Sequence, residues 1–416
     1  MEEWKEYRLE EIGIIVGGAT PSTKEPHNYD GNISWITPKD LSNNGSRYIS
    51  RGERMITSEG YNSCSCKMLP KGSVLFSSRA PIGYVAIASN ELCTNQGFKS
   101  IIPDEKFVDS AFLYYLLVYN KALIEGLGSG TTFKEVSGNV MKNVVVIIPC
   151  LEIQKQIAKV LSSLDDKIEV NRRINDNLEQ QAQALFKSWF VDFEPFRDQP
   201  FVESELGMIP EGWRVVSLDE MTSKFGTGLN PRKNFKLGEG NNYYVTIKNM
   251  GNNRVYLDDK CDKVNDEAVE KINKRSKLQK GDLLFSGIGT IGRVALITET
   301  PTNWNTSESV FNLHPSEIVS SEFLYILLLS DVFQQYVKLH AQGGVQQGIR
   351  MASLKDYKMA IPKYSIIREF DNKIVPLVSL AKSNDDETDR LASLRDTLLP
   401  RLMSGELKVN EIENAI

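Results

Sequence analysis

The sequence predicts an α+β protein made of two similar globular α/β domains and a pair of long helices. Three observations support this fold class. The chain of 416 residues repeats itself after about 209 residues, each copy mixes short strand-like runs with one helical stretch, and each copy is followed by a long heptad pattern. Solenoid repeats span only about 20–50 residues. The repeat therefore indicates two whole domains of one fold.

The repeat is clearest around a Lys-Gly turn and the strand-like run after it. Lys71–Ser77 returns as Lys280–Ser286, and Ile82–Ala86 returns as Ile291–Ala295. Polar residues next to these motifs differ between the copies. Two divergent domains of one fold are suited to recognising two different targets at a fixed separation.

Within each copy, β-branched and aromatic runs predict strands. The predicted strands are 31–36, 73–76, 84–87 and 144–148 in the first copy, and 243–247, 282–285 and 294–297 in the second. One helix is predicted in each copy, at 110–124 and 321–339, and a polar loop follows it. Each copy ends at an Ile-Pro pair, where proline is expected to end the last strand.

After each Ile-Pro pair, apolar residues recur with a period of 3.5 residues, which predicts coiled-coil packing rather than two separate core helices. Position a holds Ile157, Leu164, Asn171, Leu178 and Leu185 in the first helix, and Phe370, Leu377, Asn384, Leu391 and Leu398 in the second. Position d holds Leu161, Ile168, Asn175, Ala182 and Trp189 in the first, and Ile374, Ala381, Thr388, Arg395 and Leu402 in the second.

Asn171 and Asn384 occupy the central a position of each heptad run. If the helices pack antiparallel and in register, these two residues meet at the midpoint, where a buried polar residue specifies register. The alternative is that both face solvent. Pro376 lies inside the second helix and is expected to kink or interrupt it near Val375.

These patterns predict a domain organisation with a pseudo-two-fold arrangement. Residues 1–150 form the first domain, 151–190 the first spacer helix, 191–212 a proline-rich linker, 213–363 the second domain, 364–403 the second spacer helix and 404–416 a C-terminal tail. About 37 helical residues at 1.5 Å each give a spacer of roughly 55 Å. The helices are therefore expected to hold the two domains apart.

Composition indicates a globular protein of the cytoplasm. Hydrophobic residues make up 41% and charged residues 25% of the chain, and the net charge of −5 argues only weakly against nucleic acid. No apolar run reaches 18 residues, and the N-terminal stretch is charged, which predicts neither a signal peptide nor a membrane span. The five cysteines are odd in number and irregularly spaced, as expected of reduced thiols.

The candidate motifs for catalysis or metal binding lack the neighbouring residues and elements that these functions require. Gly287–Gly292 fits the dinucleotide fingerprint, but a strand-like run follows it instead of a helix, and the first copy lacks these glycines. A hairpin turn is the better interpretation. The tetrapeptide needed for amino-group methylation is absent, the three histidines are scattered, and Cys64 and Cys66 lack two further ligands at zinc spacing. The sequence predicts a non-catalytic protein without a metal site.

Four longer segments resemble the type I restriction–modification specificity subunits. They are Asp165–Asn175, Ala184–Phe193, Ile209–Trp213 and Arg395–Leu407. The resemblance covers essentially the whole chain in the order of the family.

The resemblance implies two target-recognition domains, each binding one half of a bipartite, asymmetric site in double-stranded DNA. It implies an antiparallel helix pair that sets their spacing and docks two modification subunits. Those subunits would bind S-adenosylmethionine and methylate adenine, and restriction subunits would add ATP- and Mg²⁺-dependent translocation and cleavage. This chain would need no cofactor of its own.

Sequence recognition requires side chains that contact base edges, whereas phosphate contacts position the protein. Polar or basic residues near strand ends are the candidates, and the alternative for each is a solvated loop residue. The candidates are Thr37, Lys39, Ser78, Arg79, Asn95, Gln96, Thr131, Thr132 and Lys134 in the first domain, and Arg232, Lys233, Thr246, Lys248, Asn249, Arg293, Ser307, Gln346, Gln347 and Arg350 in the second. Lys71 and Lys280 are interpreted as turn residues.

Large apolar side chains cluster at the helix ends, at Leu185, Phe186, Trp189, Phe190, Leu398, Leu399 and Leu402. An intramolecular core is the first explanation, and a docking surface for the modification subunit is the second. Two other functions remain open at this point. One is a duplicated scaffold that holds two protein partners, and the other is a self-sufficient DNA methyltransferase, which the missing tetrapeptide opposes.

Overall fold

The computed structural model describes residues 4–79, 81–130, 134–344 and 347–413. The chain divides into two compact units, Met1–Arg173 with Ser383–Ile416 and Ile174–Lys382, called unit 1 and unit 2 here. Each unit therefore combines one globular domain with one half of each long helix. All five cysteines are free. Within the described ranges, no helix combines the length and the apolar character that crossing a membrane would require.

The first domain has mixed strands and short helices. Its strands are β1 (Lys5–Arg8), β2 (Gly13–Gly17), β3 (Tyr29–Ile36), β4 (Tyr48–Ile49), β5 (Met55–Ile56), β6 (Val74–Ser78), β7 (Ile82–Ala88), β8 (Cys93–Thr94), β9 (Lys99–Pro103) and β10 (Val145–Ile148). Its helices are α1 (Leu9–Ile12), α2 (Pro38–Asn43), α3 (Ser58–Asn62), α4 (Ser110–Tyr119), α5 (Lys121–Gly126) and α6 (Gly138–Lys142). The long helix α7 (Leu151–Phe190) follows.

The segment between α7 and the second domain, predicted from the sequence to be a linker, contains regular secondary structure. A 3₁₀ turn at Glu194–Phe196 precedes a hairpin of β11 (Phe201–Ser204) and β12 (Gly207–Pro210). Phe196 and Ile209 are buried in the core of unit 2. Apolar contacts therefore order this segment despite its prolines.

The second domain repeats the plan of the first. Its strands are β13 (Arg214–Ser217), β14 (Thr222–Thr227), β15 (Asn242–Val245), β16 (Met250–Gly251), β17 (Arg254–Val255), β18 (Asp262–Val264), β19 (Leu283–Ser286), β20 (Val294–Leu296), β21 (Trp304–Thr306), β22 (Val310–Pro315) and β23 (Lys358–Ile361). Its helices are α8 (Leu218–Met221), α9 (Asp266–Ser276), α10 (Ser321–Leu329), α11 (Asp331–His340) and α12 (Met351–Lys355), after which come α13 (Tyr364–Met403) and α14 (Val409–Glu413).

Sheet topology confirms that the two domains share one fold. The main sheet of the first domain has the order β2-β9-β6-β7-β4, and that of the second has the order β14-β22-β19-β20. The segments β5-β3-β8 and β18-β15-β21 form a second small sheet in each domain. Gly72 and Gly281 both have φ near +90° (88° and 89°) in the turn before the central strand. Such turns favour glycine because it has no Cβ.

The two long helices pack antiparallel within each unit. In unit 1, Leu161 of α7 shares a core with Leu402 of α13. In unit 2, Phe186 packs against Phe370, with ring centroids 6.1 Å apart. Residues further along α7 therefore contact residues earlier in α13, which defines an antiparallel pair. The predicted fold class is confirmed.

The predicted meeting of Asn171 and Asn384 is confirmed as well. Asn171 is fully buried, and its Nδ2 donates to the main-chain oxygen of Asn384 at 3.4 Å. A shorter hydrogen bond, of 2.8 Å, joins the same Nδ2 to Glu387 Oε2. The amide therefore joins the two helices through side-chain and main-chain acceptors.

Two expectations about helices are corrected. The helix α13 continues through Pro376, so the expected interruption does not occur, whereas the expected kink stays a prediction. Pro376 and Asn372 are both exposed. Proline removes the donor for the carbonyl of Asn372, and water can reach the freed oxygen on this exposed side. The stretches 110–124 and 321–339 each form two helices, which are separated at Asn120 and Ser330. The Asn120 amide donates to the Leu116 oxygen, and the Ser330 hydroxyl donates to the Leu327 oxygen, so both compete with helical hydrogen bonds.

Unit 1 contains both ends of the described chain. Trp4, Leu407 and Val409 pack with the core that α7 and α13 share in this unit. Gly405 has a φ of 72°, and a side chain there would meet the Trp4 indole. The tail predicted at 404–416 is therefore part of unit 1 over its described residues.

Candidate nucleic-acid interface

In unit 1, hydrogen bonds hold several loops together at one end of the main sheet. The Ser78 N–H donates to the Gly97 oxygen at 2.7 Å, and the Val136 N–H donates to the Ser78 oxygen at 3.0 Å. Ser129 and Glu135 exchange two main-chain hydrogen bonds of 3.0 and 2.9 Å. The end of β6 thus lies between the loop before β9 and the loop after α5.

The same main-chain scaffold recurs in unit 2. The Gly287 N–H donates to the Ser309 oxygen at 2.9 Å, and the Ile349 N–H donates to the Gly287 oxygen at 2.9 Å. Gln342 and Gly348 exchange two hydrogen bonds, each of 2.8 Å. We call these loops the loop cluster: 37–40, 78–79, 95–99, 128–130 and 134–136 in unit 1, and 246–249, 287–293, 307–311, 341–344 and 347–350 in unit 2.

A capping box positions one lysine in each loop cluster. Thr37 and Asp40 cap each other across the start of α2, and Thr246 and Asn249 do so at the equivalent turn of unit 2. Each box leaves an exposed lysine between its two members, Lys39 and Lys248. Thr37, Thr246 and Asn249 therefore have a structural role, and Asn249 is buried.

Glu53 pairs with Lys39 in unit 1. The distance from Lys39 Nζ to Glu53 Oε2 is 2.7 Å, and this hydrogen bond raises the pKa of Lys39. Both side chains are mainly exposed, so the pair adds little to stability.

Arg79, Lys99 and Glu135 form a charged trio in the loop cluster of unit 1. Arg79 Nη1 lies 3.6 Å from Glu135 Oε2, and Lys99 Nζ lies 3.2 Å from Glu135 Oε1. The Lys99 ammonium also lies 3.5 Å from the Ser78 hydroxyl. Lys99 and Glu135 were missed at the sequence level. The proximity of Lys99 to Ser78, and of Glu135 to Arg79, becomes evident only when the strands and loops are paired.

Several predicted residues are exposed in the loop clusters or in a nearby loop. In unit 1 they are Gln96 and Lys134, and in unit 2 they are Arg232, Lys233, Gln347 and Arg350. The Gln96 side chain accepts a hydrogen bond from the Thr20 hydroxyl. The predictions on Thr131, Thr132 and Gln346 lie outside the described residues.

Other predicted residues are buried or hydrogen-bonded within the free chain. Ser78 and Ser307 are buried, and the Asn95 side-chain oxygen accepts from the Gly97 N–H at 2.8 Å. Arg293 donates to the main-chain oxygens of Ile247 and Met250, the first at 2.9 Å. These contacts use polar atoms that would otherwise be available to a base.

The apolar residues at the helix ends belong to cores, in agreement with the first of the two explanations. Phe186, Trp189 and Phe190 are buried in the core of unit 2, with Leu185 partly buried against it. Leu399 and Leu402 are buried in the core of unit 1, with Leu398 partly buried against it. The docking explanation stays a prediction for this set, although side chains that fill a core present little surface to a partner.

Neither a metal centre nor a dinucleotide loop emerges from the described ranges. No group of three or more His, Cys, Asp or Glu side chains in them could hold a metal ion. Gly287–Gly292 connects the antiparallel strands β19 and β20, as the hairpin interpretation predicts. The loop clusters offer hydrogen-bonding and basic groups.

Comparison with known proteins gives one consistent family. The model of the type I restriction modification DNA specificity domain matches residues 1–180 and 210–379. The chain is 34% identical over 416 residues to the type I restriction enzyme MjaIX specificity subunit of Methanocaldococcus jannaschii, covering 99% of this chain and 95% of that protein. It is 27% identical to the HindI specificity subunit of Haemophilus influenzae, covering 98% and 100%. The crystal structure of the S subunit of M. genitalium aligns over 96% of both chains, with a TM-score of 0.55 and 17% identity.

Proposed function

The chain belongs to the type I restriction modification DNA specificity family, and we propose that each of its globular domains binds one half of a bipartite, asymmetric DNA site. The main support for this proposal is the repeated loop cluster. Its main-chain hydrogen bonds recur in both units, whereas its side chains differ. For example, Arg79 bridges to Glu135 in unit 1, and at the equivalent bridge of unit 2 Ile288 pairs with Gly348. One scaffold with two sets of side chains fits two different half-sites.

Within this function, α7 and α13 set the separation of the half-sites. Each helix runs for 40 residues and contributes to both units. The buried Asn171 amide, bonded to Glu387 across the helix pair, supports a single register. A fixed register would give a fixed number of unspecified base pairs between the half-sites.

Chemistry would reside in partner subunits. Two modification subunits would bind S-adenosylmethionine and methylate adenine, and restriction subunits, joined through them, would use ATP and Mg²⁺. This chain would be the non-catalytic subunit of that multisubunit enzyme. A scaffold without DNA specificity, the alternative function, would require neither a basic loop cluster nor its divergence between the domains.

Domain replacement tests half-site recognition. Residues 1–150 are exchanged for the first domain of another specificity subunit, and the methylated adenines in the host genome are mapped. One half of the recognised sequence should change while the other half and the gap stay the same. A change in both halves would refute independent domains, and no sequence-dependent methylation would favour the scaffold alternative.

Helix insertion tests the spacer. Four residues, about one turn or 6 Å, are added to α7 alone in one variant and to both long helices in a second variant. The matched control inserts four residues into the exposed turn at Glu205 and Leu206. A longer gap in a helix variant, with both half-sequences unchanged, is the expected result. The same gap in a folded, active helix variant would show that the helices are not the spacer.

A further inference from the structure

Glu135 occupies a position where a carboxylate is not needed to build the loop. In unit 1 its main chain bridges Arg79 and Ser129, and in unit 2 Gly348 makes the equivalent bridges to Ile288 and Gln342. The two main-chain hydrogen bonds measure 3.0 and 2.9 Å at Glu135 and 2.8 Å each at Gly348. A glycine thus supports the same local structure, and the carboxylate requires another explanation.

The cations that face Glu135 are also absent from unit 2. Ile288 stands at the position of Arg79, and Phe311, which is buried, stands at the position of Lys99. The strand register confirms the second equivalence, because Phe285 pairs with Phe311 and Ser286 pairs with Val310, as Ser77 pairs with Phe98. The charged trio is therefore a property of the first domain alone.

The trio contributes little to folding but much to local charge. The side chains of Arg79 and Glu135 are 34% and 38% exposed, and ion pairs at such sites are worth about 0–1 kcal/mol. Lys99 is 14% exposed, so its ammonium depends more on a nearby acceptor. With two cations and one anion, the trio has a net positive charge. A DNA phosphate that binds Arg79 or Lys99 must compete with the Glu135 carboxylate.

We propose that Glu135 is a specificity-determining residue, whose carboxylate holds Arg79 and Lys99 away from the phosphates of non-cognate DNA. The inference rests on the proposed function and deepens it. Non-specific binding depends on phosphate contacts. A cognate half-site adds base contacts elsewhere in the loop cluster, which allow phosphates to displace Glu135. Non-cognate DNA lacks that contribution, so the carboxylate remains on its two cations.

The test compares the wild type with Glu135→Gln in the full-length chain assembled with its modification subunits. The probes are a duplex with the methylated sequence and a duplex of equal length with both halves scrambled. Glu135→Gln should bind the scrambled duplex about three- to tenfold more tightly, with a salt dependence steeper by about one to two phosphate contacts. Binding of the methylated sequence should change less, so the ratio of the two affinities falls.

Three further variants complete the design. Glu135→Asp keeps the charge and should retain wild-type discrimination. Adding Arg79→Gln and Lys99→Gln to Glu135→Gln should abolish the gain. The control Glu205→Gln removes an exposed carboxylate that pairs with Lys358 at 2.7 Å, outside the loop cluster. It should not change the affinity for either duplex.

Two results would overturn the inference. Glu135→Gln could retain wild-type affinity and salt dependence for the scrambled duplex. It could also weaken only the methylated sequence and alter the bases recognised, which would make Glu135 a direct base contact. A wild-type complex that does not prefer the methylated duplex would instead refute the proposed function itself.

Discussion

Asp165 of α7 accepts a hydrogen bond from Arg395 of α13, and the distance from Arg395 Nη1 to Asp165 Oδ1 is 2.7 Å. The other carboxylate oxygen of Asp165 accepts from the Tyr115 hydroxyl at 2.5 Å and lies 3.7 Å from Arg47 Nη1. One carboxylate therefore connects both long helices to α4 and to a loop of the first domain. Arg47 is additionally bonded to Asp166, at 2.7 Å.

Unit 2 has apolar residues where unit 1 has this network. The heptad repeat aligns Asp165 with Val378 and Arg395 with Ala182, and the repeated Phe-Leu-Tyr motif aligns Tyr115 with Ile326. Ala182 and Ile326 are buried in the core of unit 2, with Val378 packed against it. Both domains thus share an apolar core with the helices, and unit 1 adds a charged network at positions that are apolar in unit 2.

Asp165→Asn should destabilise the protein by about 3 kcal/mol, because it leaves Arg47 and Arg395 without their shared buried anion. Asp165 is 12% exposed and Arg47 is 6% exposed. The control Asp396→Asn also removes a carboxylate bonded to Arg395, but this carboxylate is 65% exposed. It should cost less than about 1 kcal/mol. Urea unfolding measures both, and equal losses would contradict the role of burial.

Asn171→Leu should raise the free energy of unfolding by about 1–2 kcal/mol, because an apolar a-position residue replaces a buried amide. The Asn171 side-chain oxygen is buried without a hydrogen-bond partner among the described residues. The same change should also relax the register. We expect methylation at sites whose gap differs by one base pair from the wild-type gap.

The matched control for this prediction is Asn177→Leu, at an exposed position of α7. It should change stability by less than about 0.5 kcal/mol. Thermal unfolding and mapping of methylated adenines give the two readouts. A destabilised Asn171→Leu variant that retains a single gap would contradict both expectations.

Asp371 should make unit 2 less stable as the pH rises. Burial raises the pKa of this carboxyl from 3.8 to about 6, although the Ser320 hydroxyl donates to it at 2.8 Å. Since the folded-state pKa lies above the unfolded value, the stabilising contribution is complete below pH 3.8 and is lost as the pH rises through about 6. Asp371→Asn removes this dependence while keeping an acceptor for Ser320.

The measurement for Asp371→Asn is the difference in melting temperature from the wild type between pH 4 and pH 7.5. The melting temperature of the variant should rise relative to that of the wild type as the pH rises, and this difference should level off above pH 7. Using the difference cancels the titration of other groups. A difference that is constant with pH would show that the pKa of Asp371 is ordinary in the folded state.

Substitutions of Arg293 and Arg232 should have opposite effects on stability and DNA binding, because Arg293 is expected to be structural and Arg232 to contact DNA. Arg293→Gln removes the donor to the Ile247 and Met250 carbonyls, so it should cost about 2 kcal/mol of stability. Arg232 is exposed. Arg232→Gln should leave stability unchanged, weaken binding to every duplex and lower the salt slope by about one. The reverse pattern in unfolding and binding measurements would contradict this division.

Much of the architecture could be predicted from local patterns. The Lys-Gly turns at Gly72 and Gly281 and the heptads of α7 and α13 depend on residues close in sequence. A glycine requirement or a 3.5-residue period is a local property, so it is visible without the fold. The central pairing of Asn171 with Asn384 follows from the same periodicity once the helices are antiparallel.

The site was only partly predictable, because the partner of a polar side chain is set by distant segments. Arg79 and Lys39 looked like free cations, yet each has a carboxylate that other loops supply, Glu135 and Glu53. Arg293 is predicted to contact a base, but the sequence does not show that it also donates to main-chain oxygens 46 and 43 residues away. Burial also removed Ser78 and Ser307 from the surface.

By itself, the sequence determined the duplication, the two long helices and the family, since these depend on periodicity and on motifs along one chain. Only the tertiary structure decided that the units divide within the helices, that unit 1 includes both ends of the described chain, and that Asp165 joins three elements. The physical reason is that burial and charge pairing arise from contacts between residues distant in sequence, from 50 positions for Tyr115 and Asp165 to 230 for Asp165 and Arg395. Such contacts leave no periodic signal in the sequence.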